Sequence, residues 1–308
     1  MQYNIRYIKR NELNAAKWDD CIKTAENGLI YGYTWWLDAM ADNWDALVLN
    51  DYEAVMPLTW RKKYGFYYLY QPAFTASLGM FYKKESNVDI AAFLKEIPPQ
   101  FRLWDISLNE MNRLHSADYK GIEIRNRKNM LVNNLQAHTE IAISYARLAK
   151  RKLKLATENN IALERNADVE KIIAFYIKEY GGQHPAITPK DYLNLTKACT
   201  RAYAERHAQF YISRLNNIVL AVYIVLKDER YFYSLIGGST KQGKELGAFY
   251  MLTDAAIQDA ALEQCSFRFE GSDISGIEFF NSLFGAETKQ YLHLKLNRLP
   301  FPINLLKR

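Results

Sequence analysis

The chain has few cysteines, and no two of them lie close together in sequence. Its 308 residues include three, at positions 21, 199 and 265, and no Cys-x-x-Cys pair. This odd, scattered set argues against a disulfide framework and favours a reducing compartment. The five histidines are equally scattered, without the spacing of zinc ligands, so we expect no metal site.

Long apolar runs and flexible linkers are also absent. No run approaches the ~18 apolar residues of a membrane-spanning helix, so we expect no membrane span. Polar and apolar residues alternate over positions 1–9, which predicts a strand and not a signal peptide. The cytoplasm is therefore the expected location. Because no tract rich in Pro, Gly or Ser divides the chain, we expect closely packed lobes.

Charge of one sign does not dominate the sequence. Forty basic residues stand against 34 acidic ones, for a net charge of +6. This excess is small for a dedicated nucleic-acid binder, and no DNA-binding module is recognisable. It suits a phosphate-bearing or otherwise anionic substrate. Hydrophobic residues make up 49% of the chain, enough for two ordinary domains with a core.

The same order of elements occurs in both halves of the chain. Each half has a strand, two helical stretches, a three-stranded meander, a helix and two further strands. The short turns make each meander antiparallel. The meander strands are expected at 45–50, 53–61 and 66–70, and again at 210–215, 218–227 and 231–235. The repeat predicts an α/β (α+β) fold of two lobes, at residues 1–140 and 141–308, each a mixed, mainly antiparallel sheet flanked by helices.

A glycine-rich turn joins the strand near 231–239 to a helix expected at 249–263. Such a turn leaves backbone N–H groups free at a helix N-terminus, where they suit an anion such as pyrophosphate. Small residues let a phosphate approach the backbone, although turns need glycines in any case. The candidate donor-binding residues are Gly238, Gly243, Lys244, Leu246, Gly247 and Ala248.

The stretch that follows carries a family resemblance. Phe-Arg-Phe-Glu-Gly-Ser at 267–272, Gly-Ile at 276–277 and Phe-Gly-Ala at 284–286 resemble the C-terminal signature of FemABX-like proteins of the GNAT superfamily. Residues 246–257 are similar to the family's donor-side helix, and residues 33–37 and 70–79 resemble landmarks of its N-terminal lobe.

The resemblance implies tandem GNAT-like lobes, with the active cleft in the C-terminal one. It implies an N-acyltransferase in which an amine attacks a thioester or ester directly. The co-substrate would be acyl-CoA or aminoacyl-tRNA, with no tightly bound cofactor. The acceptor would be an amine on a small molecule or on a cell-envelope precursor such as a peptidoglycan stem peptide.

The chain departs from the GNAT pyrophosphate signature, Gln/Arg-x-x-Gly-x-Gly/Ala. Its nearest match is Lys244-x-x-Gly247-x-Phe249. The helical-hairpin insertion of some family members is not visible either. A non-catalytic relative with a degenerate donor site is therefore the alternative hypothesis.

Five side chains are candidates for chemistry or substrate contact. Glu270 ends an apolar strand, where burial would raise its pKa, and is the candidate base or substrate anchor; the alternative is an exposed or ion-paired carboxylate. Tyr233 and Ser234 are neighbours on the strand before the glycine turn, so alternation lets only one face the cleft. Ser272 is a substrate contact or a helix cap. Trp36 belongs to the core and cleft wall of the N-terminal lobe.

A basic helix is expected just after the proposed lobe boundary. Arg147, Lys150, Arg151 and Lys154 share one of its faces and apolar residues the other. A solvated face is the plain interpretation. An anion-binding rim on the cleft, or an RNA-binding surface, is the functional one.

Overall fold

The computed structural model describes residues 4–84, 86, 88–114, 121–133, 137–165, 168–183 and 185–306. The chain forms two compact units, the first from Met1–Arg127 with Gln290–Arg308 and the second from Lys128–Lys289. Among the described residues, no helix has the length and apolar character needed to cross a bilayer.

The first unit contains a mainly antiparallel sheet. Its strands are β1 (Ile5–Lys9), β2 (Trp44–Leu49), β3 (Ala54–Lys63), β4 (Phe66–Tyr70), β5 (Phe81–Tyr82) and β6 (Phe101–Ser107). Its helices are α1 (Ala15–Thr24), α2 (Thr34–Met40) and α3 (Ile90–Lys95). The strand order is β1-β2-β3-β4-β6, with β5 beside the start of β3. β4 and β6 are parallel, and α3 lies in the connection between them.

The second unit repeats this plan. It contains residues 128–132 of β7 (Ile122–Val132), the strands β8 (Ala162–Arg165), β9 (Ala208–Leu215), β10 (Ile218–Lys227), β11 (Tyr231–Ser239) and β12 (Ser266–Arg268), and residues 287–289 of β13 (Glu287–Asn297). Its helices are α4 (His138–Ile143), α5 (Arg147–Glu158), α6 (Val169–Tyr180), α7 (Pro189–Ala204), α8 (Lys241–Leu246), α9 (Ala248–Leu262) and α10 (Ser275–Ser282). The order is β7-β12-β11-β10-β9-β8, and β11 and β12 are the parallel pair.

The predicted α/β fold class and the predicted order of elements are confirmed. Each repeat runs through a strand, two helices, a three-stranded meander, a helical connection and a strand parallel to the last meander strand. The two unit boundaries fall inside β7 and β13. Residues 293–297 of β13 pair with β6 in the first unit, and residues 131–132 of β7 pair with β12 in the second. The lobe limits 1–140 and 141–308 stay a prediction, because a sequence repeat and a compact unit need not share an end.

Local sequence explains the tight meander turns. Asn216 and Asn217 join β9 to β10 with φ of 47° and 65°, and Tyr64 and Gly65 join β3 to β4 with φ of 50° and 82°. Two successive residues with positive φ form the type I′ turn, whose twist matches that of the strands, and Asn and Gly adopt it most readily.

The core of the second unit lies between its sheet and α9. Leu252, Ala256 and Ala260 repeat every fourth residue of α9 and are fully buried, and this helix packs on β10 and β11. This spacing places them on one face of the helix. The packing fixes β11, from which the candidate site is built.

Candidate active site

The neighbouring parallel strands β11 and β12 separate at their C-terminal ends. Their pairing stops at Tyr233 and Arg268. β11 continues to Ser239, whereas the chain after β12 turns away at Glu270 and Gly271, with φ of 49° and 64°. Among the described residues, no strand pairs with positions 234–239 on the side away from β10. No strand therefore uses the outward-facing backbone N–H and C=O groups of this edge.

A β-bulge interrupts β11 where this open edge begins. Ile224 of β10 pairs with Ile236, but Val225 pairs with Ser234, so Leu235 falls outside the ladder. A bulged residue is left unpaired and bends its strand. Ser234 is half-buried beside it. The bulge therefore lies next to the point at which β12 leaves β11.

A buried ion pair lies at the base of the separation. The Arg268 Nε is 3.0 Å from a Glu270 carboxylate oxygen, and the two side chains are only 4% and 9% exposed. The Glu270 N–H donates to the Asn129 Oδ1 on β7 at 2.9 Å, which holds the left-handed turn. Glu270 is thus buried, as its place at the end of an apolar strand suggests, and has a buried cationic partner.

Two tyrosines of β11 pack against this pair. The Arg268 guanidinium lies 5.1 Å from the centroid of the Tyr231 ring and 5.8 Å from that of Tyr233. These are cation–π contacts of a desolvated guanidinium. Tyr233 has no exposed surface. The structure brings Tyr233 and Glu270 together around Arg268.

The Tyr233 hydroxyl donates to the Asp228 carboxylate at 2.5 Å. That carboxylate also accepts the N–H groups of Arg230 and Tyr231, at 2.9 and 2.8 Å. Burial raises the pKa of Asp228, and these three hydrogen bonds oppose the shift. Tyr233 therefore serves the packing of β11 in this conformation, and a catalytic role for it stays a prediction.

The glycine-rich segment is more regular than the expected open turn. Residues 241–246 form α8, which Thr240 caps by accepting the Gly243 N–H at 3.0 Å. The Gly247 N–H donates to the Gly243 carbonyl, and Gly247 joins α8 to α9 with φ of 79°. The Lys152 Nζ donates to the carbonyls of Lys244 and Glu245 at 3.1 and 2.6 Å.

Two of the amides expected to face a donor thus donate within the chain. The N–H groups of Gly243 and Gly247 are bonded as described, while Ala248 is fully buried at the start of α9. Leu246 ends α8 and packs against the core of the second unit. A donor-binding role for this set stays a prediction.

The two remaining candidates have structural partners. Ser272 has no exposed surface, and its hydroxyl accepts the Asn281 side-chain N–H at 3.1 Å. The capping interpretation of Ser272 is wrong, because α10 begins at Ser275 behind Ile274, which makes no side-chain cap. Trp36 lies in the core of the first unit and donates to the Thr75 hydroxyl at 2.9 Å. Substrate contacts by Ser272 and Trp36 stay predictions.

Sequence reasoning missed three residues of this cluster. Arg268 had a detectable signal, since a charged residue two positions before Glu270 in an apolar strand shares its face. Asp228 sits in a turn and gave no signal of burial. Asn129 is 141 residues away from Glu270, and nothing in its neighbourhood marks it.

The basic face of α5 has partly internal partners. The Lys150 ammonium donates to the Ile143 carbonyl at 2.7 Å, and Lys154 lies 3.6 Å from Glu158. Arg147 and Arg151 are exposed. The face is consistent with the solvated interpretation, and an anion-binding role stays a prediction.

A serine, a histidine and an aspartate lie together in the first unit. The His293 ring is 3.0 Å from the Ser107 hydroxyl and 3.0 Å from the Asp105 carboxylate, and the nearby His293 ring lowers the pKa of Asp105. Ser107 is 1% exposed and borders a cavity of about 10 Å³, which holds at most one water molecule. These residues link β6 to β13, and the cavity beside Ser107 has no room for a substrate.

The first unit also has a cleft of about 690 Å³ lined by aromatic rings. At its floor, Asp45 accepts hydrogen bonds from the Tyr7 hydroxyl and the Trp60 indole. At its rim, Arg10 pairs with Asp38 at 2.7 Å. These charged groups already pair with one another or accept hydrogen bonds from neighbouring side chains. The cleft therefore indicates a catalytic function less than the region around Arg268 and Glu270 does.

Comparison with known proteins identifies the architecture. Residues 144–273 match the family model of the acetyltransferase (GNAT) domain, which contains β11, β12 and the ion pair. No curated protein matches the chain in sequence.

Three solved structures are similar over most of their length. FemX has 14% identity and a TM-score of 0.70, over 98% of this chain and 99% of that chain. The C-terminal domain of a putative lysylphosphatidylglycerol synthetase from Agrobacterium fabrum has 9% identity and a TM-score of 0.58, over 92% of both chains. A tandem GNAT protein from the clavulanic acid biosynthesis pathway has 7% identity and a TM-score of 0.55, over 96% of this chain and 99% of that chain. The chain therefore has a FemABX-like GNAT fold with tandem GNAT-like lobes, as the sequence resemblance implies.

Proposed function

We propose that the protein is an N-acyltransferase that binds its acyl donor where β11 and β12 separate. The observation that carries this proposal is the open edge of β11 beside the buried Arg268–Glu270 pair. Ligands of open sheets bind in the crevice beyond the carboxyl ends of parallel strands. The GNAT match over residues 144–273 includes this crevice.

The reaction is a direct acyl transfer. The amine nitrogen attacks the acyl carbonyl carbon, a C–N bond forms, and the C–S bond of a thioester or the C–O bond of an ester breaks. The attacking amine loses a proton and the leaving thiolate or alkoxide takes one up. Holding both reactants in the crevice lowers the barrier, because the entropy of bringing them together is lost on binding and not in the reaction step.

Three groups have assigned roles in this proposal. Glu270 receives the proton of the amine, or anchors the acceptor in its ammonium form until that proton is released. The N–H of Leu235, outside the ladder at the bulge, stabilises the oxyanion that develops on the carbonyl oxygen. Arg268 supplies the counter-charge that keeps the Glu270 carboxylate in its buried position.

The proposed donor is acyl-CoA or aminoacyl-tRNA, used as a co-substrate without a tightly bound cofactor. The proposed acceptor is an amine on a small molecule or on an envelope precursor such as a peptidoglycan stem peptide, encountered in the cytoplasm. The sequence resemblance at 267–286 supports this choice. The proposed lobes are 1–140 and 141–308, with the active crevice in the second.

The test is a transfer assay with two labelled donors, acetyl-CoA and an aminoacyl-tRNA mixture, against a polyamine and a UDP-linked muropeptide. We expect one donor and acceptor pair to give product, and Glu270→Gln to lower turnover by about 100-fold or more. Glu278→Gln is the matched control, because Glu278 pairs with Lys128 on the surface of the same unit at 2.7 Å. Full activity in Glu270→Gln would remove this residue from the mechanism, and no product from any pair would contradict the function.

One observation favours a second function, a non-catalytic binding protein. The amides of Gly243 and Gly247, expected to hold a donor phosphate, donate within the chain. In that case the same ligands should raise the melting temperature of the folded protein without turnover.

A further inference from the structure

The side chain of Tyr180, the last residue of α6, lies on the last residues of β11. Its hydroxyl donates to the Ser239 carbonyl at 3.0 Å and accepts the Ser239 N–H at 3.0 Å. The next residue, Thr240, donates its N–H to the carbonyl of Leu220 near the start of β10, at 2.9 Å. Because successive N–H groups of a strand point to opposite sides, that of Ser239 points away from β10, to the open edge.

One phenol hydroxyl thus makes both hydrogen bonds that backbone N–H and C=O groups of a neighbouring strand would make with Ser239. The same donor and acceptor pair is what an extended ligand with amide groups uses when it adds to a strand edge. Tyr180 therefore occupies the position of such a ligand at the C-terminal end of β11.

Three contacts hold the ring in this position. It stacks on the Tyr176 ring, with centroids 5.6 Å apart and an interplanar angle of 18°. The Lys244 ammonium lies 5.3 Å from its centroid. It also lies on Gly238, where an added Cβ would come closer than 3.0 Å to its ring carbons. Two residues predicted to bind the donor, Gly238 and Lys244, therefore contact Tyr180.

We infer that Tyr180 is a specificity-determining residue of the donor crevice, whose hydroxyl closes the β11 edge at Ser239 to donor arms that carry an amide there. The inference rests on the proposed function, since it places the donor along this edge. An arm with amide groups, such as the pantetheine of coenzyme A, must displace the hydroxyl to pair with Ser239. A donor without an amide at this level binds without displacing it.

The test is calorimetric titration of coenzyme A into the wild type, Tyr180→Phe and Tyr176→Phe. Phenylalanine at 180 keeps the ring on Gly238 and under Lys244 but frees the N–H and C=O of Ser239. We expect Tyr180→Phe to bind coenzyme A about tenfold more tightly than the wild type, a gain of about 1.4 kcal/mol. Tyr176→Phe is the matched control, because it changes a stacked tyrosine that makes no bond to the strand, and we expect wild-type affinity.

Pantetheine, which has the amides but no phosphates, separates the strand edge from Lys244. The gain should persist with pantetheine. A gain in affinity seen only with coenzyme A would be assigned to Lys244 and the phosphates, and it would overturn the inference. The inference would also be overturned if Tyr180→Phe bound coenzyme A no more tightly than the wild type, or if neither protein bound it. Circular dichroism checks that both proteins are folded.

The inference and the proposed function fail in different ways. If the wild type transfers an acyl group but Tyr180→Phe gains no affinity, the function stands and the role of Tyr180 is wrong. If Tyr180→Phe gains affinity for both ligands but no acceptor is acylated, the role of Tyr180 stands and the transferase proposal is wrong.

Discussion

Removing one partner of the Arg268–Glu270 pair should destabilise the second unit almost as much as removing both. The two side chains are 3.0 Å apart and less than a tenth exposed. Breaking a buried pair by deleting one ion costs about 3–5 kcal/mol, because the other charge stays desolvated. We therefore expect Glu270→Ala and Arg268→Met each to lower the free energy of unfolding by about 3 kcal/mol or more.

The double variant should cost far less than the sum of the single ones. With both charges gone, no desolvated ion remains, and methionine at 268 still packs against Tyr231 and Tyr233. Residues in direct contact show coupling energies of about 0.5–3 kcal/mol, and a buried pair belongs at the upper end, near 2–3 kcal/mol. Urea unfolding of all four forms, followed by far-UV circular dichroism, measures this coupling.

A surface pair in the same unit supplies the control. Lys128 and Glu278 lie 2.7 Å apart but are 48% and 34% exposed, and exposed pairs couple by less than about 1 kcal/mol. If Arg268→Met and Glu270→Ala were additive within about 0.5 kcal/mol, the buried pair would carry no coupling. The reasoning that assigns Arg268 as the counter-charge of Glu270 would then be refuted.

The remaining predictions concern single positions in the same unit. Gly247→Ala should lower stability by about 1–2 kcal/mol or more, because φ is 79° and the new Cβ would meet the Lys152 carbonyl; Gly276→Ala, which has open space, should melt near the wild-type temperature in calorimetry. Tyr233→Phe should cost about 1.5–3 kcal/mol at pH 7, since it removes a hydrogen bond to a carboxylate. Burial raises the pKa of Asp228, so the unfolded chain loses that proton first and stability falls as pH rises from the unfolded to the folded pKa. The Tyr233 hydroxyl opposes the rise in the Asp228 pKa, so Tyr233→Phe should make the loss of stability between pH 4 and 8 larger, as measured by urea unfolding. An unchanged pH dependence would contradict the hydrogen bond between Tyr233 and Asp228.

Local pattern was enough to predict much of the fold. The helix expected at 249–263 is α9, Ala248–Leu262, because its apolar residues recur at helical spacing. The short turn expected between the strands at 210–215 and 218–227 is formed by Asn216 and Asn217, which adopt positive φ readily and both have it here. These signals depend on neighbours within a few positions, which is why they are readable in one sequence.

The environment of Glu270 was predictable only in part. Its burial follows from its place at the end of an apolar strand, and Arg268 is within reach by alternation. The Asn129 side chain that fixes its left-handed backbone comes from β7, on the other side of β12. A contact between residues 141 positions apart is set by strand order, and nothing in the residues near 129 or 270 encodes it.

The glycine-rich segment shows that the spacing of glycines alone does not identify a donor site. At Gly238, Gly243 and Gly247 an added Cβ would come closer than 3.0 Å to a group of the chain itself: the Tyr180 ring, the Leu220 carbonyl and the Lys152 carbonyl. Packing therefore explains each of these glycines without any ligand. Evidence for a donor must then come from groups that packing leaves open, and the backbone edge of β11 between the bulge and Ser239 is such a group. The donor is consequently best identified by finding which ligands bind along that edge in Tyr180→Phe, where the hydroxyl is removed.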